Sequence, residues 1–147
     1  MKAHVDFATA EALIRQRVED WLKALRAKDI DGVMSLYAPD LVSFDLAPPL
    51  QYFGADGKRR AWQQAFAAFS GPIGYEVRDL NVTTNGELAF VHSLNHVNAT
   101  LPSGPIDMWL RWTACFRQVA GVWLVVHDHV SVPADPVNGK AVRNLKP

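Results

Sequence analysis

The chain has 147 residues, of which 49% are apolar and 20% charged, and its 15 basic and 15 acidic side chains cancel. These values are typical of a globular protein and suit a single domain over residues 1–147. Lysine and arginine form no run longer than the three residues 58–60, so neither a nucleic-acid-binding nor an anionic membrane-binding surface is expected.

The N-terminal part of the chain predicts two helices and a strand. Apolar residues recur at helical spacing over residues 9–28, and Thr9 is placed to cap the N-terminus of that helix. Asp29 can cap a second, short helix, which Pro39 should end because proline lacks the backbone N–H that a helix interior needs. Alternating residues at 41–46 predict the first strand.

A third helix and four long strands are predicted for the rest of the chain. The helix carries three aromatic residues at helical spacing, Trp62, Phe66 and Phe69, and is expected to end at Gly71 and Pro72. The strands are predicted at 73–84, 87–100, 106–119 and 122–132. Tight turns are favoured at Asn85-Gly86 and around Gly121. Helices followed by a meander of strands is the order of an α+β fold.

Three features of the sequence fit a cytoplasmic protein. The longest strongly apolar stretch, Val122 to Val126, is too short to span a bilayer. Residues 1–6 lack the apolar core of a signal peptide. Cys115 is the only cysteine, so the chain offers neither an intrachain disulfide nor a zinc-binding spacing.

Two segments resemble proteins of the nuclear transport factor 2-like (NTF2-like) superfamily, which includes ketosteroid isomerase, SnoaL-type polyketide cyclases and a kinase association domain. ALRAKDIDGVMSLYAPDLVSFD (24–45) resembles the ketosteroid isomerase segment that leads into the first strand. GVWLVVHDHVSVP (121–133) is similar to the final strand of SnoaL-like and kinase-association domains. The resemblance implies a cone of about three helices packed on a strongly curved, mostly antiparallel sheet (a cystatin-like α+β barrel) with a small-molecule pocket inside.

The resemblance to ketosteroid isomerase also implies roles for individual residues. Asp45 stands at the position of the general base. Trp21 replaces the oxyanion-hole tyrosine, Trp62 a neighbouring tyrosine, and Ala114 the second oxyanion donor, a protonated aspartate. An indole N–H can still donate one hydrogen bond, whereas alanine cannot. Steroid isomerisation by the same mechanism is therefore not expected.

The same resemblance implies the direction of the side chains on two strands. It places Phe90, His92, Leu94 and His96 on the cavity face of one strand, and Val126, Asp128 and Val130 on the cavity face of the last. The candidate catalytic residues are then Asp45, His92, His96 and Asp128. The candidate ligand-binding residues are Trp21, Tyr37, Trp62, Phe66, Phe90, Leu94, Trp112 and Val126.

Each polar candidate also has a purely structural interpretation. Asp45 could cap a turn at the end of a strand, and Asp128 could pair with a buried histidine or arginine. His92 and His96 could be hydrogen-bonded core histidines. They cannot share one metal ion, because residues four apart on a strand lie roughly 13 Å apart. No metal is expected, and no organic cofactor either, since the chain has no phosphate-binding glycine loop.

The opposite, convex face of the sheet predicts a homodimer. Its expected residues are Trp109, Arg111, Thr113, Cys115 and Arg117 on one strand and Trp123, Val125, His127 and His129 on the next. Such a face would be unusually apolar for a monomer. Loops or the C-terminal tail could cover it instead.

Two functions follow as hypotheses. The first is a cofactor-free isomerase, cyclase or dehydratase in which Asp45 moves a proton of a small apolar carbonyl compound. His92, His96 or the Trp21 indole would stabilise the enolate oxygen, and Asp128 would orient a histidine. The second is a non-catalytic ligand-binding or dimerisation module with the same pocket.

Overall fold

A computed structural model describes residues 7–147, which form three helices and a six-stranded sheet. The helices are α1 (Phe7–Arg26), α2 (Ile30–Met34) and α3 (Ala55–Ala68). The strands are β1 (Tyr37–Phe44), β2 (Tyr52–Phe53), β3 (Ser70–Thr84), β4 (Leu88–Leu101), β5 (Gly104–Val119) and β6 (Val122–Ser131). The α+β prediction is confirmed. Residues 1–6, on which the expected lack of a signal peptide rests, lie outside the described residues.

The helices differ from their predictions mainly at their ends. Residue Thr9 lies inside α1, which is already helical at Phe7, so the prediction that Thr9 caps this helix is wrong. Asp29 does cap α2, since its side chain accepts a hydrogen bond from the backbone N–H of Gly32 at 3.1 Å. None of the three described helices has the length and apolar character needed to cross a membrane.

The sheet has the order β2-β1-β6-β5-β4-β3, with β1 parallel to β6 and every other pair antiparallel. Pro39 lies within β1 instead of ending α2. The pairing of β1 with β6 is irregular between Tyr37 and Val42, and such an irregular stretch accommodates a proline, which cannot donate to a sheet.

Tight turns connect the long strands where the sequence predicts them. Gly86 has φ 91°, while Ala120 and Gly121 have φ 51° and 82°, the pair of positive values that a two-residue hairpin turn requires. β3 is interrupted near Asp79, whose φ is 56°, and the register shifts between Arg78 and Asn81. Such bulges bend strands, which helps the sheet to curve around the helices.

A bulge in β6 changes which of its side chains face the helices. The register with β5 shifts between Cys115, which pairs with His127, and Phe116, which pairs with Val125. The extra residue is Val126. Trp123 and Val125 are therefore buried on the inner face, and the prediction that they lie on the convex face is wrong. Asp128 and Val130, after the bulge, also face inward as predicted, whereas Val126 does not.

The direction predicted for the side chains of β4 is wrong by one residue. The buried residues are Ala89, Val91, Ser93, Asn95, Val97 and Ala99. Phe90, His92, Leu94 and His96 consequently lie on the outer face, because successive side chains of a strand point to opposite faces. Register confirms this assignment: His92 pairs with Thr113 and His96 with Trp109, both on the outer face of β5.

The core lies between the inner face of the sheet and the apolar stripe of α1. Ile14, Val18 and Leu25 of this stripe are at most 1% exposed. α1 is also tied to the strands by charged side chains, since the Arg17 guanidinium donates to the carbonyl of Trp123 and that of Arg26 to the carbonyl of Tyr75. A cavity remains between the helices and the inner face of the sheet.

Candidate active site

A cavity of about 330 Å³ opens between α1, α3 and the inner face of the sheet. Volumes from about 300 Å³ upward are common for small-molecule sites. Aromatic residues of its wall are Trp21, Tyr37, Tyr52, Trp62, Phe69, Tyr75 and Trp112. Aliphatic residues of its wall include Leu25, Ile73, Val97, Leu101, Ile106, Met108, Leu110 and Val130. Its charged residues are Asp45, Lys58 and Asp128.

The charged residues form one cluster around the ammonium group of Lys58. The Nζ atom lies 2.8 Å from Oδ2 of Asp45, 3.6 Å from Oδ2 of Asp128 and 3.2 Å from the hydroxyl of Ser43. Ser43 in turn donates to Oδ1 of Asp128. Lys58 and Asp128 are almost fully buried, with side chains 3% and 1% exposed, while that of Asp45 is 25% exposed. Asp45 is therefore the carboxylate that a bound molecule can reach.

Lys58 stays charged in spite of its burial. Burial by itself disfavours an ammonium ion and would lower its pKa, but interactions with Tyr37, Asp128 and Asp45 outweigh burial and raise the pKa of Lys58 above its ordinary value. A buried carboxylate needs such a partner, since an unpaired buried charge costs several kcal/mol. Lys58 thus neutralises one charge and leaves the cluster with one net negative charge when both carboxylates are ionised.

Two tyrosines of the wall are held in their neutral form. Burial raises the pKa of Tyr37 well above its ordinary value, and the Lys58 ammonium lies 5.7 Å from the centre of its ring. Burial likewise raises the pKa of Tyr75 to about 12. Both hydroxyls therefore keep their protons at neutral pH.

Three indole rings form much of the aromatic wall. Trp21 is stacked on Trp112, with ring centres 5.7 Å apart, and meets Trp62 edge to face at 6.0 Å. The indole nitrogen of Trp21 is buried and has no hydrogen-bond partner within residues 7–147. The indole nitrogen of Trp62 is also buried, and a hydrogen bond from the Trp62 side chain acts to lower the pKa of Tyr37, against the larger effect of burial. Buried donors without partners are rare, so the Trp21 N–H represents unused hydrogen-bonding capacity next to the cavity.

Three polar side chains, those of Ser93, Asn95 and Tyr75, are connected by hydrogen bonds behind the cavity wall at β4. The Ser93 hydroxyl donates to Oδ1 of Asn95 at 2.7 Å, and Nδ2 of Asn95 donates to the hydroxyl of Tyr75 at 3.1 Å. Ser93 and Asn95 are only 5% and 1% exposed. Their polar atoms are thus satisfied by one another and by Tyr75, as buried polar groups require.

The structure brings half of the sequence-predicted site residues together at the cavity. These are Trp21, Tyr37, Asp45, Trp62, Trp112 and Asp128. Phe66 packs against Trp62 at 5.6 Å without lining the cavity. Val126 is displaced by the bulge in β6, and Phe90, His92, Leu94 and His96 lie on the outer face. The placement predicted for these five residues is therefore wrong.

His96 has a different environment from the predicted one. Its ring is stacked on Trp109 at 4.6 Å, and its Nε2 lies 2.7 Å from a carboxylate oxygen of Asp107. Its Nδ1 lies 3.9 Å from Glu76. Asp128, predicted to orient or acidify a histidine, contacts Ser43 and Lys58 instead. Within residues 7–147, no three side chains of histidine, cysteine, aspartate and glutamate are grouped so that they could hold a metal ion.

Sequence reasoning missed several polar residues of the site, among them Ser43, Lys58, Tyr75, Ser93 and Asn95. Lys58 stands among charged residues of the first turns of α3, where a solvent-exposed side chain is the ordinary expectation. Ser93 and Asn95 could have been found from the apolar residues that alternate with the histidines of β4. These residues share the inner face with Ser93 and Asn95, and they are Ala89, Val91, Val97 and Ala99.

Residues 14–135 match the model of the SnoaL-like domain family. The chain belongs to this family. The NTF2-like superfamily predicted from the sequence is thereby confirmed. No curated protein matches the chain.

Solved structures with the same fold include proteins described in several ways. An NTF2-like protein of unknown function from Pseudomonas putida KT2440 is 35% identical, with a TM-score of 0.87, covering 98% of this chain and 100% of its own. A ketosteroid isomerase-like protein from Erwinia carotovora atroseptica is 23% identical (TM-score 0.69; 82% and 93% covered). A candidate dehydratase of the NTF2-like family from Streptomyces avermitilis is 16% identical (TM-score 0.76; 87% and 99% covered). At such low identity the last two share the fold alone.

Proposed function

We propose that the cavity binds a small, largely apolar carbonyl compound and that Asp45 transfers a proton of that compound without a cofactor. The reaction would be an isomerisation, cyclisation or dehydration. The observation that carries the proposal is the placement of Asp45: among the three charged residues of the cavity wall, it is the one whose side chain remains partly exposed. A proton-transferring group must lie within hydrogen-bond reach of the atom on which it acts.

The surroundings of Asp45 support a fixed and charged carboxylate. Lys58 contacts its Oδ2 at 2.8 Å, and the backbone N–H of Leu46 donates to its Oδ1 at 2.7 Å. These contacts hold the carboxylate in one orientation at the edge of the cavity, where a bound molecule can meet it.

Stabilisation of the enolate oxygen would come from the aromatic wall rather than from histidine. His92 and His96 lie on the outer face and are no longer candidates. Trp21 keeps its indole N–H without a partner, and a hydrogen bond that forms only as negative charge develops on the oxygen lowers the barrier. The net negative charge of the cluster of Asp45, Lys58 and Asp128 favours neutral compounds over anionic ones.

The alternative is a binding module without catalysis. One observation favours it: the Lys58 ammonium donates its hydrogen bonds to Asp45 and Ser43, and its side chain is only 3% exposed, so little of it is open to a ligand. The same arrangement could serve only to neutralise charge beneath a binding pocket.

A thermal-shift screen of carbonyl compounds, followed by deuterium exchange, separates the two functions. Ketones and the corresponding keto acids would be screened against the wild type, Asp45→Asn and the control Asp40→Asn, whose carboxylate is exposed on the surface. We expect neutral ketones to raise the Tm of all three proteins and keto acids to do so less. In D₂O, the wild type and Asp40→Asn should exchange the hydrogens next to the carbonyl at least about 100-fold faster than Asp45→Asn.

Binding without exchange in the wild type would establish the non-catalytic alternative. Equal exchange by Asp45→Asn would show that Asp45 is not the proton-transferring group. Preferential binding of keto acids would contradict the proposed charge preference.

We also propose a cytoplasmic homodimer that associates through the outer face of the sheet. Phe90 is 46% exposed there, and Leu94 and Trp109 lie beside it on the same face. Apolar surface of this kind is typical of protein interfaces. Sedimentation velocity should give a dimer for the wild type and for the loop variant Leu50→Glu, and a monomer for Leu94→Glu. A monomeric wild type would contradict the proposal.

A further inference from the structure

We propose that Tyr75 is the hydrogen-bond donor that recognises the acceptor oxygen of the bound molecule. Asn95 and Ser93 act as positioning residues that aim its hydroxyl proton at the cavity. The inference rests on the proposed function, because it assigns the residue that contacts the carbonyl oxygen. It adds a donor on β3, at a position that neither the sequence nor the resemblance pointed to.

The direction of the hydrogen bonds beneath the wall carries the inference. Ser93 donates to Oδ1 of Asn95 over 2.7 Å, an ordinary length for O–H···O, and Nδ2 of Asn95 donates to the Tyr75 hydroxyl over 3.1 Å, an ordinary length for N–H···O. The two lengths therefore fit this orientation of the amide better than the reverse one. In this orientation Tyr75 is the acceptor at the end of the chain of hydrogen bonds.

A phenol hydroxyl has a single proton to donate. Its oxygen already accepts from Asn95, and within residues 7–147 no group accepts the proton of Tyr75. Tyr75 lines the cavity, and its hydroxyl is close enough to the charges of Lys58 and Asp45 for both to influence its pKa. The unused donor is thus on the same cavity as the Asp45 carboxylate.

Tyr75 is also held firmly, as a recognition residue should be. Its ring meets Trp21 edge to face, with centres 5.4 Å apart. The Arg26 guanidinium donates two hydrogen bonds to its carbonyl oxygen, at 2.6 and 3.2 Å. A donor fixed before the ligand arrives costs little conformational entropy on binding.

The test compares two probes of similar shape, 2-acetylnaphthalene, which has an acceptor oxygen, and 2-ethylnaphthalene, which has none. Dissociation constants would be measured by tryptophan fluorescence for the wild type, Tyr75→Phe and Thr83→Val. Thr83→Val is the control, because it removes an exposed hydroxyl of the same strand β3 outside the cavity wall. We expect Tyr75→Phe to weaken binding of the ketone about three- to tenfold and to leave the hydrocarbon unchanged, while Thr83→Val changes neither.

The carbonyl stretch of the bound ketone gives a readout that a merely structural role would not move. It should lie at lower wavenumber in the wild type than in hexane, and return toward the hexane value in Tyr75→Phe. In Asn95→Asp the carbonyl stretch should return toward the hexane value in the same way, with Tyr75 still present. The reason is that a carboxylate at this position accepts the hydrogen bond of the Tyr75 hydroxyl, which is then no longer available to the ketone. Circular dichroism checks that each variant is folded. The carbonyl stretch of the ketone bound to the wild type tests the hydrogen bond even if every variant fails to fold.

Each contrary outcome has a distinct meaning. The role of Tyr75 would be overturned if the carbonyl stretch of the ketone bound to the wild type is not shifted. It would also be overturned if Tyr75→Phe weakens the binding of both probes equally. Neither outcome contradicts the proposed carbonyl-binding function. A loss of affinity for the ketone in Thr83→Val as large as in Tyr75→Phe would also overturn the role of Tyr75. If the wild type binds neither probe, the apolar carbonyl-binding function fails, and the inference fails with it.

Discussion

The inner and outer faces of the sheet use similar side chains in opposite ways. On the inner face, Asp45 and Asp128 share the buried ammonium of Lys58. On the outer face, Asp107 is 59% exposed where it contacts His96, and water can solvate it. Burial makes pairing obligatory on one side, whereas exposed pairs contribute about 0–1 kcal/mol. The comparison shows that a charged side chain of this sheet must have a partner only where the fold removes water.

The largest effect is expected from placing a charge on each face of β4 in turn. Val91→Asp puts a carboxylate at a position that is 0% exposed, whereas His92→Asp puts it at an exposed one. We expect Val91→Asp to lower the free energy of unfolding by more than about 4 kcal/mol or to prevent folding, and His92→Asp to change it by less than about 1 kcal/mol. Urea unfolding measures both.

If both substitutions had comparable effects, Val91 would not be on the buried face of β4 and His92 would not be on the exposed face. This result would also remove the basis for excluding His92 and His96 from the site.

A second large effect is expected from Lys58→Met, compared with its neighbour Arg59→Met. The first leaves Asp128 buried without a cation and should cost about 3–5 kcal/mol of unfolding free energy. The second breaks an exposed pair with Asp31 and should cost less than about 1 kcal/mol. Urea unfolding at neutral pH measures the free energy of unfolding of both variants.

Two variants of similar stability would show that Lys58 is not needed to compensate the buried carboxylates. The cluster would then carry a different charge from the one on which the preference for neutral ligands rests.

The smallest effect is expected from alkaline pH. The pKa of Tyr75 is raised to about 12 in the folded chain, against about 10 in an unfolded one. Folding therefore favours the protonated phenol, and this contribution is complete below pH about 10 and lost as the pH rises toward 12. Urea unfolding at pH 8, 10 and 11 should show a smaller loss of stability for Tyr75→Phe than for the wild type. Identical slopes would mean that Tyr75 is not buried as described.

Much of the fold follows from local features of the sequence. The apolar stripe of α1, the cap Asp29 and the turns at Asn85-Gly86 and Ala120-Gly121 each depend on residues within a few positions of one another. Such patterns fix the type of an element well and its ends less well. Two predictions about the ends of helices were wrong: Thr9 lies inside α1 and not at its N-terminus, and Pro39 lies in β1 and not at the end of α2.

The site could be predicted only in part, because strand phase is not a local property. On β4, one face offers Phe90, His92, Leu94 and His96, and the other offers smaller residues with Ser93 and Asn95. The polar pair becomes acceptable in the core only because Tyr75 on β3 accepts a hydrogen bond from Asn95. On β6, the bulge at Val126 similarly allows both Val125 and Asp128 to face inward.

By itself the sequence determined the class of fold, the order of the helices and long strands and the position of Asp45 at the end of the first strand, since these depend on periodicity and on turn-forming residues. The short strand β2 (Tyr52–Phe53) was not predicted. Only the tertiary structure decided which charges meet. Lys58 on α3, Asp45 after β1 and Asp128 on β6 come together because the helices close over the curved sheet. Their partnership depends on the exclusion of water between distant segments, which no local pattern records.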